Sequence, residues 1–405
     1  MRLEYTPEQE QLRDEIRATM QQVMTPERQA AVRERMEGGP AVRECVRALA
    51  AANLLGVGWP KEYGGQGFSA IEQFIFAEEA RRVNAPIPLV TLNTVGPTLM
   101  HYGTEEQKQT FLPAILDGSV EFAIGYSEPE AGSDLASLRT TAIRDGDDYV
   151  INGQKMFTSG AAYADYIWLA ARTDPNAKKH KGISIFIVPT SSPGFSWQPL
   201  HTMPGISTFY TFYDNVRVPA SAIVAGENQG WQLITTQLNF ERAALGNLSA
   251  LEPLFEQTLQ WATSTELDSG RVIDQPWLQL TLARVEAQVA AYKLINLRVN
   301  AAMTKGAGNM GLNMGEASAA KVFGTELTQQ VAGQLLEVLD HNGLRRGADA
   351  PLRGALESAY RVAVISTFGG GANEIQREII AMAGLGMPRA PRDLRATDKS
   401  GGPTQ

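Results

Sequence analysis

The feature that most constrains the fold of this 405-residue chain is a hydrophobic periodicity that changes twice along its length. Before about Val120 and again after about Gly230, apolar residues recur every three or four positions, which is typical of amphipathic helices. Between Val120 and about Val224 the period is two, in short runs rich in β-branched and aromatic residues. The sequence therefore predicts an α+β protein in which a β unit lies between two helical units.

This order divides the chain into three predicted domains and a tail. We predict an N-terminal all-α domain over residues 1–119, a middle antiparallel β-barrel or sandwich domain over 120–226, and a C-terminal four-helix bundle over 227–388. Residues 389–405 are rich in Arg, Pro, Gly and Ser and contain too little apolar surface to pack. They are predicted to be disordered.

The same patterns predict individual elements. Thr6, with Gln9 three residues later and Pro7 between them, is a capping-box pattern at the start of a helix. Further helices are predicted at Pro40–Leu54, Ala70–Val83, Leu92–Tyr102, Glu105–Leu116, Trp231–Trp261, Pro276–Lys305, Glu316–Leu339, Pro351–Ser366 and Asn373–Ala383. Strands are predicted at Phe122–Tyr126, Leu138–Arg144, Tyr149–Asn152, Tyr166–Arg172, Ile183–Val188 and Phe209–Val218.

Composition and charge exclude several classes of function. The chain has 36 Lys and Arg against 44 Asp and Glu, a net charge of −8, so it lacks the basic excess that binds nucleic acid. Its apolar runs are shorter than the roughly 18 residues that span a bilayer, and its N-terminus has no apolar signal region. We therefore expect no nucleic acid partner, no membrane span and a cytoplasmic location. The single Cys45 and four widely spaced histidines predict neither a disulfide nor a metal site.

Two motif-like stretches lack the context that their chemistry requires. Gly65–Ala70 satisfies a dinucleotide-binding fingerprint but does not follow a strand pattern, so we predict a loop ahead of a helix. Gly125–Pro129 begins like a nucleophile elbow but ends in Pro where the tight turn needs Gly. Ser127 is therefore not predicted to be a nucleophile.

The segment Gly125–Asp134 (GYSEPEAGSD) places small residues and hydroxyl groups directly after a predicted strand. Such a segment can hold a planar ring or a phosphate, and a structural loop is an equal interpretation of these residues alone. The segment resembles the first signature of the acyl-CoA dehydrogenases. Stretches similar to that family follow its order and together cover residues 1 to about 388: Tyr63–Gly67, Gly153–Ser159, Gly226–Trp231 and Phe368–Arg377.

The resemblance implies the family's α–β–α fold and FAD-dependent desaturation of an acyl-CoA thioester. In that reaction a carboxylate removes the α-proton, the β-hydrogen leaves as hydride to the flavin, and an electron-transfer flavoprotein reoxidises the flavin. Because the thioester α-proton is weakly acidic, the reaction needs a desolvated carboxylate with a raised pKa and donors that polarise the carbonyl.

The family places its catalytic base at one of two positions. The position used by the medium-chain branch falls on Gly370, which has no side chain for proton transfer. The position used by the isovaleryl and long-chain branches falls on Glu241, so the resemblance implies Glu241 as the base and the adjacent Arg242 as a substrate-binding residue. The alternative is a surface glutamate paired with an arginine. Glu374 is the second candidate, although a helix N-terminus there would lower its pKa.

The resemblance also assigns side chains to the cofactor. Phe157 takes the position of an aromatic residue stacked on the flavin, and Ser159 takes that of a hydroxyl near flavin N5. Hydroxyls here could instead satisfy backbone groups at strand ends. The implied cofactor-binding residues are Tyr126, Ser127, Gly132, Ser133, Phe157 and Ser159, and Ser133 is also implied to bind substrate.

One departure from the family pattern points to a partner subunit. Homotetrameric members carry an Arg-x-x-Phe-Gly element that reaches the neighbouring subunit's FAD pyrophosphate, and the corresponding stretch Leu267–Pro276 has lost it. A second flavin-contact element is replaced by Glu337–His341, and acidic residues in these stretches would repel a pyrophosphate. With Gly369–Gly371 in the second signature, the chain resembles the catalytic subunit of actinobacterial α2β2 dehydrogenases that desaturate steroid side-chain CoA esters.

Two other functions stay open at the level of the sequence. One is a flavin monooxygenase of the nitrososynthase type on the same fold, and the other is a non-catalytic structural subunit of a dehydrogenase complex. The intact first signature and Glu241 favour the dehydrogenase.

Overall fold

A computed structural model of the chain describes residues 4–34, 38–246, 251–268, 270–305 and 314–389, and it describes their side chains except at 33, 34, 239–246 and 305. The predicted units follow one another in the predicted order, so the α+β fold class is confirmed. The domain boundaries stay predictions. The predicted tail, from 389 to 405, lies outside the described residues except for its first residue.

The N-terminal unit packs its helices around a core that includes Met20, Leu49, Phe76 and Leu99. At its first helix, Thr6 Oγ1 accepts a hydrogen bond from the N–H of Gln9 at 3.3 Å, and Gln9 Oε1 accepts one from the N–H of Thr6 at 3.1 Å. The predicted capping box is therefore confirmed. The helices of this unit are α1 (Pro7–Val23), α2 (Pro26–Glu34), α3 (Pro40–Ala51), α4 (Ala70–Arg82), α5 (Gly96–Tyr102) and α6 (Glu105–Leu116).

The middle unit is a sheet with strand order β6-β7-β3-β2-β4-β5-β8, and β1 pairs with β4. Its strands are β1 (Phe122–Gly125), β2 (Thr141–Asp145), β3 (Asp148–Lys155), β4 (Tyr166–Arg172), β5 (Ile183–Pro189), β6 (Phe195–His201), β7 (Ser207–Pro219) and β8 (Ile223–Val224). Most ladders are antiparallel, as predicted, but β1 and β2 each pair with β4 in parallel. The sequence pattern could not show this, because side chains alternate with a period of two in both kinds of ladder.

The sequence pattern missed strand β6, which lies at the edge of the sheet beside β7. Most of its side chains are exposed, so it lacks the alternation of buried and exposed residues that marks a strand. It also contains Pro199, which has no N–H to donate and is tolerated in a sheet at an edge.

The C-terminal unit is a helical bundle whose core includes Leu254, Val285, Val331 and Leu335. Its helices are α7 (Gly230–Gly246), α8 (Leu251–Ser264), α9 (Pro276–Lys305), α10 (Met314–Val338), α11 (Ala355–Ser366) and α12 (Asn373–Ile379). Between α8 and α9 the chain forms a short hairpin of β9 (Glu266–Leu267) and β10 (Gly270–Arg271).

Several bundle helices differ from their predicted extents; α12, for example, ends at Ile379 instead of Ala383, and a π-helical turn follows it at Ile380–Gly384. The single helix predicted over Trp231–Trp261 corresponds to α7 and α8, and residues 247–250 between them lie outside the described part of the chain. The helix predicted from Pro351 begins only at Ala355, because Leu352 and Arg353 have positive φ angles of 50° and 53°, which an α-helix cannot continue.

Charged side chains join the N-terminal unit to the bundle. Arg82 at the end of α4 contacts two carboxylates of α8, Glu252 at 3.2 Å and Glu256 at 2.8 Å. Lys293 of α9 lies 3.5 Å from Glu78 of α4. These pairs fix α4 against the bundle.

The composition led to expectations about Cys45, the histidines and membrane-spanning segments. Cys45 is buried on α3 and unpaired among the described residues, and burial raises the pKa of its thiol. All four histidines are exposed, and no group of metal-binding side chains occurs in the described ranges. No helix among the described residues is both long enough and apolar enough to cross a bilayer.

Candidate functional site

The first-signature segment and the end of β3 are joined by hydrogen bonds. Lys155 Nζ donates to the carbonyl oxygen of Tyr126 at 3.1 Å, and the N–H of Met156 donates to the carbonyl oxygen of Ser127 at 2.9 Å. Tyr126 and Ser127, which are implied to bind the cofactor, therefore lie beside the stretch that leads to a third implied residue, Phe157.

A buried ion pair holds this junction together. The Glu128 carboxylate accepts hydrogen bonds from Lys155 Nζ at 2.7 Å and from the backbone N–H groups of Arg139 at 2.6 Å and Thr140 at 2.9 Å. Burial favours the neutral acid, but Lys155 and these N–H groups outweigh it and hold the pKa of Glu128 below its usual value. Burial lowers the pKa of the Lys155 ammonium to about 8, so both groups are charged at neutral pH.

We expect Lys155→Met to lower the free energy of unfolding by about 3–5 kcal/mol, because it leaves the Glu128 carboxylate buried without its cation. The control is Lys179→Met, which removes an exposed ion pair to Asp134 and should cost about 0–1 kcal/mol. Urea denaturation at pH 7 measures both changes. An equal loss in the two variants would contradict a stabilising role for the buried pair.

The pH dependence gives this prediction a second readout. In the wild type the depressed pKa of Glu128 means that its contribution to stability is present at neutral pH and is lost as the pH falls. In Lys155→Met the carboxyl has lost the cation that contributes most to lowering its pKa, so protonating it in acid costs the variant less stability than the wild type. The difference between the two proteins should therefore narrow in acid.

Phe157 presents an exposed aromatic ring directly after this junction. Its side chain is 55% exposed, and its φ angle is +59°, a conformation that residues other than glycine rarely adopt. The neighbouring N–H of Thr158 donates to the carbonyl of Phe209 at 3.0 Å, which fixes the turn. Strained backbone of this kind clusters at functional sites, so an exposed ring held in this way fits a surface for a planar cofactor.

The hydroxyl groups assigned to the cofactor have different surroundings. Ser159 is exposed, and its Oγ lies 3.0 Å from Thr208 Oγ1. Ser127 is half-buried, and its Oγ has no partner among the described residues. Gly132 and Ser133 lie in the exposed part of the loop, and a Cβ at Gly132 would meet nothing within 4 Å. The structure thus groups Tyr126, Ser127, Phe157 and Ser159, with open space beside Gly132.

A buried cluster behind this surface escaped the sequence analysis. Tyr126 donates its hydroxyl to Gln237 Oε1 of α7 at 2.5 Å, and Trp168 Nε1 of β4 lies 3.0 Å from the same oxygen. Trp168 Nε1 is also 3.1 Å from the Tyr126 hydroxyl. The three residues belong to different elements, so no local pattern could reveal them.

Two of the residues implied to act on the substrate, Glu241 and Arg242, lie on α7. Glu241 and Arg242 are in the last two turns of this helix, and their side chains are outside the described part of the structure. The helix itself is well placed for a site, because it packs against α10 and against the π-helical turn Thr91–Val95. This turn stands where the sequence predicted the start of an α-helix, and such turns are frequent at functional sites.

The second signature forms a loop that a buried lysine holds in place. Lys321 of α10 donates to the carbonyl of Gly371 at 2.9 Å and to Asn373 Oδ1 at 2.8 Å. Gly370 and Gly371 both have positive φ angles, which fits the glycines of this loop. The second candidate base, Glu374, is exposed in the first turn of α12 rather than enclosed in apolar surroundings.

A cavity of about 200 Å3 lies between α4 and the segment that follows it. Its walls are mainly apolar, with Phe76 and Ala80 on the helix and Ile87 and Leu89 on the segment. The segment leads directly into the π-helical turn that packs against α7. Asn93 of that turn also lines the cavity, so the turn contacts both the cavity and the helix that carries Glu241.

The acidic residues of the altered elements lie at one end of the bundle. Asp268 and Asp274 are in the stretch between α8 and α9, while Glu337 and Asp340 are at the end of α10. The core joins these regions, because residues at the start of α9 and at the end of α10 belong to one cluster. Asp274 contacts Arg271 at 2.8 Å, and this ion pair balances its charge. The negative charge at this end of the bundle therefore comes mainly from Asp268, Glu337 and Asp340.

Models of protein families match most of the chain. Residues 6–119 match the acyl-CoA dehydrogenase N-terminal domain, residues 123–216 match the middle domain, and residues 228–385 match the C-terminal domain.

Individual relatives match over almost the whole length. The chain is 51% identical over 402 residues to acyl-CoA dehydrogenase FadE26 of Mycobacterium tuberculosis (strain ATCC 25618 / H37Rv), covering 97% of this chain and 100% of the relative. Among solved structures, it is similar to a chain of the ChsE4-ChsE5 complex from Mycobacterium tuberculosis, with a TM-score of 0.89, 51% identity and coverage of 96% and 100%. It is also similar to the Tcur3481-Tcur3483 steroid ACAD, with a TM-score of 0.90, 48% identity and coverage of 96% and 100%.

Proposed function

The chain belongs to the acyl-CoA dehydrogenase family of oxidoreductases, and from this premise we propose that it uses FAD to introduce an α,β double bond into the acyl group of a steroid side-chain CoA ester. The observation that carries the proposal is the junction between the first signature and β3. It presents an exposed aromatic ring at Phe157 together with the hydroxyls of Ser127 and Ser159.

The residues at this junction fit an FAD molecule. Phe157 offers a flat apolar face, and the half-buried Ser127 hydroxyl has no partner among the described residues and is available to a ring heteroatom. Gly132 leaves room for a bulky group beside the loop. When bound, FAD supplies the acceptor for the β-hydrogen and its electron pair.

In the proposed reaction Glu241 removes the α-proton of the thioester. A carboxylate does this only if its surroundings favour the neutral acid enough to make it a sufficient base. Its helix packs against the π-helical turn, where Leu92 and Val95 are buried beside Thr91 and Thr94. The apolar groups of this turn support the proposal. Arg242 is proposed to bind the substrate, and Ser133 to contact both cofactor and CoA ester.

The cavity beside α4 supports the proposal that the substrate carries a bulky apolar acyl group. Complete ligand pockets measure about 300–1,000 Å3, so a cavity of about 200 Å3 would take one end of such a group. The Tcur3481-Tcur3483 steroid ACAD has a chain of similar length and fold. We therefore propose a steroid side-chain CoA ester as substrate, an electron-transfer flavoprotein as the oxidant of the reduced flavin, and a sister dehydrogenase subunit as a partner in an α2β2 assembly.

Anaerobic addition of acyl-CoA to the flavin-loaded protein tests the proposed reaction. We expect a steroid side-chain CoA ester to bleach the flavin absorbance almost completely and to form one enoyl-CoA for each flavin that is reduced. The matched control is a straight-chain acyl-CoA of similar carbon number, which should bleach the flavin more slowly. Bound flavin that no acyl-CoA bleaches would contradict the dehydrogenase, and bleaching by the straight chain alone would contradict the steroid substrate.

Ser159→Ala tests the proposed orientation of the cofactor. Because the Ser159 hydroxyl is assigned to the flavin ring and not to the CoA ester, its loss should slow flavin reduction about tenfold and leave acyl-CoA affinity nearly unchanged. Anaerobic stopped-flow absorbance gives both quantities. The control Thr208→Val removes the neighbouring hydroxyl and keeps Ser159. An unchanged rate of flavin reduction in Ser159→Ala would contradict the proposed contact with the flavin and would leave Ser159 with a structural role only.

A further inference from the structure

The cavity between α4 and the segment that follows it carries two amide side chains on a mainly apolar wall. Gln73 of α4 and Asn93 of the π-helical turn are half-buried and line the cavity with apolar residues such as Phe76 and Ile87. Neither the Asn93 side chain nor Gln73 Nε2 has a hydrogen-bond partner in the ranges that the structure describes. Because an apolar group that fills the cavity displaces water from these amides, its entry is costly unless it brings a polar atom to them.

One short segment holds the two amides at the same end of the cavity. The Gly58 N–H donates to Gln73 Oε1 at 2.9 Å. The next residue, Trp59, donates from Nε1 to the carbonyl oxygen of Leu92, which directly precedes Asn93, at 3.1 Å. Since Gly58 and Trp59 are consecutive, these two hydrogen bonds bring Gln73 close to the turn that carries Asn93.

The opposite end of the cavity lies where the segment leaves the helix. There the N–H of Ala85 donates to the carbonyl oxygen of Ala80 at 2.8 Å. Gln73 precedes Ala80 by about two helical turns, or roughly 10 Å along α4. Arg81, which also lines the cavity, follows Ala80 directly, so its backbone position is at this end. The two amides and the arginine therefore belong to opposite ends of the cavity wall.

The hydrogen-bonding capacity of the amides indicates which atom they can receive. A backbone N–H can only donate, and the Gly58 N–H has no other acceptor among the described residues, so the Gln73 atom that it contacts is the oxygen. Gln73 Nε2 is thus a donor, and the Asn93 amide offers a donor and an acceptor. A carbonyl or hydroxyl oxygen satisfies both residues, whereas a buried carboxylate would need a cation at this end.

We propose that Gln73 and Asn93 select an acyl group that carries a carbonyl or hydroxyl oxygen at the end remote from the thioester. This inference rests on the proposed function, in which the cavity receives one end of a steroid side-chain CoA ester. Steroid nuclei commonly carry such an oxygen at C3, on the ring farthest from the side chain. The C3 oxygen meets the two amides, which therefore determine specificity and take no part in proton or hydride transfer.

Two esters that differ only in this oxygen test the proposal: a 3-oxo steroid side-chain CoA ester and its 3-deoxy analogue. We expect the flavin-loaded protein to bind the enoyl-CoA product of the 3-oxo ester about 10- to 100-fold more tightly, because the 3-deoxy product leaves both amides without a partner. The enzyme cannot desaturate these products at the same position again, so isothermal titration calorimetry measures binding without turnover. Equal affinities for the two products would overturn the proposal.

Variants of the two amides test whether they cause the preference. Asn93→Leu keeps about the same volume, so it should weaken binding of the 3-oxo product about tenfold and change binding of the 3-deoxy product less than about twofold. Gln73→Glu keeps the oxygen that Gly58 contacts but removes the donor, so it should also reduce the preference. The control Ile87→Leu reshapes the apolar wall and should leave the ratio of the two affinities within about twofold of the wild type. Equal losses for both products in the two amide variants would show a structural role and overturn the proposal.

Flavin bleaching by the two esters separates failure of this inference from failure of the proposed function. If both esters bleach the flavin with the same kcat/KM and their products bind equally, the dehydrogenase stands and only the role of Gln73 and Asn93 is wrong. If neither ester bleaches the flavin, the proposed reaction fails, while the ratio of product affinities still tests the two amides.

Discussion

Replacing Glu241 by glutamine is expected to reduce desaturation by about 10³-fold or more while flavin and acyl-CoA stay bound. The amide keeps the shape of the carboxylate but cannot accept the α-proton, and proton transfer by a positioned side chain contributes about 10²- to 10⁴-fold to catalysis. Enoyl-CoA formation by the flavin-loaded variant measures the loss. Spectral shifts of the flavin on addition of acyl-CoA show whether substrate is still bound.

The matched control for this prediction is Glu374→Gln. Glu374 is exposed in the first turn of α12, so its replacement should change the rate by less than about threefold. Near-normal desaturation by Glu241→Gln together with an inactive Glu374→Gln would move the base to the second signature. Loss of bound flavin from Glu241→Gln would show that the substitution disturbs the site rather than the proton transfer alone.

The local features of the fold could be predicted from the sequence. The capping box at Thr6 involves residues three positions apart, and helix α6 has the predicted limits, because caps and amphipathic faces depend on near neighbours. The order of the units also follows from local periodicity. The parallel pairing of β1 with β4 does not, because it joins residues more than forty positions apart.

The interior of the candidate site depends on such distant pairs and could not be predicted. Lys155 and Glu128 come from different motifs, and each alone looks like an ordinary surface charge in the sequence. Gln237 meets Tyr126 across 111 positions, so this contact appears only in three dimensions. The resemblance to a family implied a set of ligand-binding residues of which most are exposed, but it did not imply Lys155, Trp168 or Gln237, which are buried behind them.

The altered elements at the end of the bundle give the second large prediction, which concerns FAD retention. Asp268, Glu337 and Asp340 are exposed at this end, in the stretches where homotetrameric relatives are implied to hold the pyrophosphate of a neighbouring subunit. Two copies of this chain would bring these carboxylates toward an anionic group. The cation nearest to Asp268 in sequence, Arg271, is already paired with Asp274.

The chain expressed alone is therefore expected to purify with less than about one flavin per ten subunits, and co-expression with a sister dehydrogenase subunit is expected to give a flavin-loaded α2β2 complex. A sister subunit that supplies cationic contacts binds the folded, flavin-loaded state and stabilises cofactor and assembly together by linkage. Absorbance at 450 nm per subunit and light-scattering mass measure both outcomes on each preparation. The double variant Asp268→Asn plus Glu337→Gln tests the electrostatic cause, because it should raise the flavin content of the chain expressed alone. The control variant Glu105→Gln, at an exposed site on α6, should not raise it.

A homotetramer with one tightly held FAD per chain would contradict the need for a sister subunit. It would not affect membership of the acyl-CoA dehydrogenase family, because that rests on the match over the whole chain.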